Sequence, residues 1–194
     1  MRSFSLCLLL AFALTGNANA GIIFGSMNVD NKHSTFISTD DSEQGIKVAS
    51  GEDWQQTDTF EYELDAGVDY FLHVFAQDLG GIAGFLGEFS LTGNSHEFVN
   101  GSNHILTNAD DWTLGLNGWG SVSEVSVING SNGVAPWGEI AGIDAAAQWI
   151  WHENAHNQEQ VYFSLAIKAL PVNEPYSVAV LALAALLINS RRSS

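Results

Sequence analysis

Residues Thr57-Asp58-Thr59-Phe60-Glu61-Tyr62-Glu63-Leu64 set Phe60, Tyr62 and Leu64 against Glu61 and Glu63. That alternation is the period-two signature of a strand with one buried face. Asp65-Ala66-Gly67 turns the chain. Asp69-Tyr70-Phe71-Leu72-His73-Val74-Phe75-Ala76 then forms a nearly continuous aromatic and aliphatic run, suited to a central strand. Working outward, the same reading places strands at 22–29, 33–38, 85–91, 97–99, 105–106, 112–116, 122–128, 149–151 and 161–167, with 39–45 a polar loop. Turn chemistry separates them: Thr92-Gly93-Asn94, Asn100-Gly101-Ser102, Asn117-Gly118 and Asn129-Gly130-Ser131-Asn132-Gly133. Such a series of short strands with few helical windows predicts an all-β sandwich over residues 21–170. No internal repeat appears, and no linker precedes Pro171.

The two ends have a different character. Arg2, an apolar stretch at 6–14 and Ala18-Asn19-Ala20 before Gly21 have the layout of a secretory signal peptide over residues 1–20, with Ala18 and Ala20 framing the cleavage site. Cys7, the chain's single cysteine, lies inside that apolar stretch. The mature chain is therefore expected to lack disulfides, thiolate metal sites and a cysteine nucleophile, and to be held by its core. At the other end, Val172-Asn173-Glu174-Pro175 precedes an uncharged Val/Ala/Leu/Ile run at 178–188, and Arg191-Arg192 follows. Pro175 suits the first turn of a helix. The arginine pair resists crossing a bilayer. The run is shorter than the ~20 apolar residues of a full span. A single transmembrane helix at 176–190 would cross only with Tyr176 and Arg191 at the interfaces and some local thinning.

That tail resembles the PEP-CTERM sorting signal of exported Gram-negative proteins. Glu174-Pro175 and Arg191-Arg192 match the family's box and basic end; Asn173 stands where the family usually has proline, and the helix lacks the family's glycines. The resemblance covers about the last twenty residues. It implies that Val172, Asn173, Glu174, Pro175, Arg191 and Arg192 are read by an exosortase-type membrane protease. It implies further that the chain is anchored transiently in the inner membrane and then delivered to the cell surface or extracellular matrix. The competing reading is an ordinary C-terminal anchor without processing. The body resembles jelly-roll, galactose-binding-like sandwich domains of exported bacterial proteins. The carrying residues are Tyr70-Phe71-Leu72-His73-Val74, Gly84-Phe85-Leu86-Gly87, Asp111-Trp112, Ala147-Gln148-Trp149-Ile150-Trp151 and Val161-Tyr162-Phe163. Some relatives bind sugars; no catalytic signature comes with the resemblance.

Charge bounds the partners. Residues 21–170 carry 21 carboxylates against Lys32, Lys47 and Lys168, a balance of −18, with no arginine. Such a surface repels phosphate backbones and excludes nucleic acid as a partner. No cofactor is implied.

Four sets of residues suggest chemistry. His152-Glu153-Asn154-Ala155-His156 is a literal H-E-x-x-H. On a helix, His152 and His156 would share a face and bind zinc, with Glu153 as general base. That alternative, a small zinc hydrolase, lacks a third ligand, and Trp149-Ile150-Trp151 favours a strand there. Asp40-Asp41-Ser42-Glu43 and Asn108-Ala109-Asp110-Asp111 offer calcium the hard oxygens it takes, with Asp40, Asp41, Asp110 and Asp111 as ligands. The competing reading is a solvated acidic loop. Six tryptophans are many for one domain. Trp149 and Trp151 read as core on one face of a strand. Trp119 and Trp137 sit in turns and are the candidate stacking platforms for extracellular polysaccharide. Last, Glu61 and Glu63 share the outer face of one strand, without an opposed acid that would suggest a glycosidase. Together these features predict a non-enzymatic exported envelope or matrix protein.

Overall fold

A computed structural model describes residues 20–121, 124, 126–153 and 159–171 of the 194-residue chain. Twelve strands follow one another within them: β1 Gly21–Asp30, β2 Lys32–Ser38, β3 Ile46–Gly51, β4 Asp58–Leu64, β5 Tyr70–Gln77 and β6 Gly84–Thr92, then β7 His96–Phe98, β8 His104–Leu106, β9 Thr113–Gly115, β10 Ser126–Ser131, β11 Gln148–His152 and β12 Gln160–Ala169. There is no helix among the described residues. The signal segment with Ala18, the sorting residues Val172, Asn173, Glu174, Pro175, Arg191 and Arg192, and the helix expected at 176–190 lie outside them. Ala20 is described and leads directly into β1.

The strands form two antiparallel sheets, and the predicted all-β sandwich is the architecture observed. The first sheet runs β10-β11-β6-β1-β4, with β8 also on β6. The second runs β3-β2-β5-β12-β7, with β9 also on β12. One residue, Asn31, carries the chain from β1 in one sheet to β2 in the other. Its amide N–H donates to Gln77 O at 2.9 Å, and its side chain joins Asp30 Oδ1 to the Leu79 N–H, each at 2.6 Å.

Alternation decides which side chains enter the space between the sheets. Ile23, Met27 and Val29 of β1 point inward, as do Leu72, Val74 and Ala76 of β5 and Val161, Phe163 and Leu165 of β12. Each large apolar side chain so buried contributes roughly 1.5–3 kcal/mol. His33 of β2 and Asp58 of β4 tie the two sheets directly, Nε2 to Oδ2 at 3.1 Å. Phe60 and Leu64 are buried, whereas Glu61 and Glu63 are exposed, as the alternation in residues 57–64 requires.

The strand that reasoning from sequence misses is β3. It is an edge strand with no fully buried residue, and Ile46 is 59% exposed, so no half-buried periodicity marks it. Trp149 and Trp151 are both fully buried, but they do not share an environment. Trp151 packs on Phe163 in the central core, while Trp149 belongs to a second apolar cluster with Trp137, Leu86, Ile140 and Ile143.

Candidate functional site

Registration brings the useful side chains together on the outer face of the second sheet. Three rows cross its strands. Lys32 lies opposite Gln77, and Gln77 opposite Gln160. The next row is Ser50, Ser34, Phe75, Tyr162 and Gly115. The third is Lys47, Phe36, His73, Ser164 and Thr113. Strand alternation, together with the register shift that skips Val48 in β3, turns the side chains of these rows away from the core.

Trp119 roofs the third row. Its ring stacks on His73 with centroids 4.7 Å apart and a 10° interplanar angle, and it meets Phe36 and Tyr162 edge-on at 5.7 and 5.0 Å. Its indole N–H donates to Phe163 O at 3.1 Å. Tyr162 in turn lies 4.9 Å from Phe75, so Trp119, Tyr162 and Phe75 form a strip of half-buried rings along the face. Trp119 is thus half-buried, with one indole face taken by His73.

Beneath that roof, Asp41 reaches in from the β2–β3 loop. Asp41 Oδ1 accepts from Ser164 Oγ at 2.5 Å and lies 3.2 Å from His73 Nε2. His73 is fully buried, and its Nδ1 has no partner among the described residues. Burial pushes the His73 pKa below the ordinary histidine value, while the Asp41 carboxylate pulls the other way. The neutral ring donating through Nε2 fits both facts. Serine, histidine and aspartate thus meet here, but the carboxylate stands between the other two. A nucleophilic triad instead has histidine between serine and acid, so that the ring takes the hydroxyl proton. A cavity of about 70 Å³ opens beside Asp41, Trp119, Tyr162 and Ser164.

The outer face of the first sheet is built differently. The loop between β10 and β11 folds over it and buries Trp137, which is 5% exposed and stacks on Trp149 at 4.4 Å and 17°. Its indole N–H donates to Asp30 Oδ2 at 2.8 Å. Trp137 is therefore a packed core residue and not a platform. Trp137 does sit in a turn, but turn chemistry does not say which way the ring falls. Asn132 clamps this loop: its Nδ2 donates to Ile140 O and Ile143 O at 3.0 and 2.8 Å, and its Oδ1 accepts from Ile140 N at 2.8 Å. Beyond the loop the face is open and acidic, with Glu61 and Glu63 beside Phe24 and Ile22.

His152 is the last residue of β11, opposite Ser126, and Glu153 lies in the turn after it. The metal-binding helix that the motif needs does not include its first histidine, and His156 is outside the described residues. Asp40 Oδ1 accepts from Ser42 N and Oγ at 2.9 and 2.7 Å, which holds its pKa below the ordinary carboxylate value. Asp110 and Asp111 flank a turn organised by Asn108, whose Oδ1 accepts both of their amide N–H groups and whose Nδ2 donates to Asp111 Oδ2. Asp40 and Asp111 thus serve their own loops, and Asp41 serves His73 and Ser164. No group of three or more His, Cys, Asp or Glu side chains able to hold a metal ion occurs among the described residues.

Cross-strand register is what sequence reasoning lacked. Phe75, Tyr162, His73 and Ser164 were visible as strand residues, yet nothing local indicates that Phe75 and Tyr162 would stand side by side across 87 positions, which is how far apart they lie. Compared with family models, with curated proteins and with solved structures, the chain matches none.

Proposed function

We propose that this chain is an exported envelope or extracellular-matrix protein whose sandwich body binds polysaccharide through the outer face of its second sheet. The PEP-CTERM-like tail accounts for delivery: a signal peptide at 1–20 directs export, the helix at 176–190 holds the chain in the inner membrane, and an exosortase-type protease cuts near Glu174-Pro175. The jelly-roll, galactose-binding-like form of the body belongs to the same reading. What carries the binding half is the strip of Trp119, Tyr162 and Phe75, three half-buried rings flanked by hydroxyl and amide side chains. Aromatic faces pack on the C–H faces of sugar rings, and neighbouring polar groups bond the hydroxyls.

Two experiments test this. Affinity electrophoresis of the full chain, in mild detergent, through gels containing soluble polysaccharides should show retardation that Tyr162→Ala abolishes. A mobility indifferent to every polysaccharide would refute the binding half. Intact-mass analysis of surface material should find chains that end near Glu174. Surface chains that uniformly retain Arg191-Arg192 would refute the sorting half.

A further inference from the structure

The lysines are not spread over the body. Lys32 is in β2, Lys47 in β3 and Lys168 in β12, so every cation among the described residues lies on the second sheet. The strands of the first sheet carry Asp30, Asp58, Glu61, Glu63 and Glu88 and no lysine or arginine. Two of the three lysines converge on one groove of about 380 Å³, where they meet Ser34, Ser50, Gln77 and Glu52. Ser34 lies opposite Phe75, so this groove adjoins the aromatic strip.

We propose that the groove recognises a carboxylate-bearing sugar, a uronic acid residue within a polysaccharide, through Lys32 and Lys47; this rests on the polysaccharide reading above. Lys47 makes no ion pair among the described residues. Lys32 is paired with Glu52 at 3.1 Å, but the Glu52 side chain is 77% exposed and can swing into water. Two ammonium groups against one carboxylate leave the groove with a single positive charge in a domain that is otherwise strongly acidic. That suits one carboxylate at a time. A densely charged polymer would bring its further charges against the surrounding carboxylates, because charge repulsion at physiological salt fades only over ~8 Å. A lysine on an edge strand also discourages strand pairing. That purpose accounts for Lys47 but not for Lys32, which sits on the interior strand β2 and faces the same groove.

The test uses the full chain in mild detergent and three uronate-bearing polysaccharides of different backbone, each paired with its carboxyl-reduced derivative. The reduced form keeps the sugar rings and loses the charge. At least one native polymer should bind about tenfold tighter than its reduced form, as expected for a charge-assisted contact. The Lys32→Gln/Lys47→Gln double variant should bring the two forms level while its thermal unfolding stays that of the parent. If the double variant folds poorly, the salt dependence of the parent decides. Raising ionic strength should weaken binding of the native form and spare the reduced form. Equal binding of both forms, abolished by Tyr162→Ala, would overturn the carboxylate site and leave the polysaccharide reading standing. No binding of any form would overturn both.

Discussion

A tryptophan-bearing loop roofs each outer face of this sandwich, and the two roofs differ in what lies beneath. Trp137 covers Trp149, Leu86, Ile140 and Ile143, an apolar cluster in which Asn132 holds the loop backbone and Asp30 accepts the Trp137 N–H. Trp119 covers His73, Ser164 and Asp41 and leaves a polar cavity beside them. The first roof works as a second core. The second is a polar assembly on a face that stays open at Phe75, Tyr162 and the lysine groove. Two tryptophans with the same kind of sequence neighbourhood thus have different surroundings, a packed apolar cluster for one and, for the other, the face proposed for recognition.

The largest effect should come from the dry roof. Trp137→Ala removes a buried ring stacked on Trp149 and should lower unfolding free energy by about 3–5 kcal/mol, read from the midpoint of chemical denaturation. A loss under 1 kcal/mol would mean that this roof is no core. Gly84→Ala tests the same cluster from below. A Cβ there would come within 2.7 Å of the Trp149 ring and 3.0 Å of the Trp137 ring. With two stacked indoles to displace, overpacking should cost about 1–3 kcal/mol.

Trp119→Ala should cost less stability, roughly 1–2 kcal/mol, because the ring is only half-buried and its pocket can refill with water. Its binding consequence should be the larger one. A stability loss equal to that of Trp137→Ala, with retention on polysaccharide unchanged, would erase the distinction between the roofs.

The smallest effects concern pH, and here the buried histidines and Asp30 should respond with opposite sign. Burial pushes His33 and His73 below the ordinary value of 6.5, with Asp58 and Asp41 opposing in turn and Lys47 adding to the depression at His33. A depressed pKa means that the neutral ring is the one the fold favours. That stability is full above pH 6.5 and is lost as pH falls through the folded value. Asp30 is raised above 3.8, mainly by burial, with the Trp137 N–H opposing and the Asp78 charge adding. Its contribution is full below pH 3.8 and fades as pH rises through the folded value. Lowering pH from about 8 to about 5 should therefore reduce protection of the Trp119 indole N–H, measured against a free indole at the same pH, before that of the Trp137 indole N–H, the order expected when buried histidines must charge. The reverse order in NMR exchange spectra would contradict the assignment of the two roofs.

Much of the sandwich was legible because half-buried strands announce themselves by alternation, as in Phe60, Tyr62 and Leu64, and because Asn-Gly turns separate them. β3 was not, since an edge strand with no fully buried residue leaves no periodic trace. The site was legible only as parts. Trp119 was recognisable as a turn aromatic, but so was Trp137, and their fates depend on what the opposite sheet face presents. The net charge of −16 was plain, yet its division between sheets appears only once the register is known. Lys32, Lys47 and Lys168 are scattered in sequence and gathered by topology.

The most direct test of the whole account compares one substitution on each open face. Retention of the full chain on polysaccharide should be lost in Tyr162→Ala, on the second sheet, and preserved in Phe24→Ala, whose ring is 37% exposed on the first. Retention that survives Tyr162→Ala and disappears in Phe24→Ala would place recognition on the opposite side of the molecule.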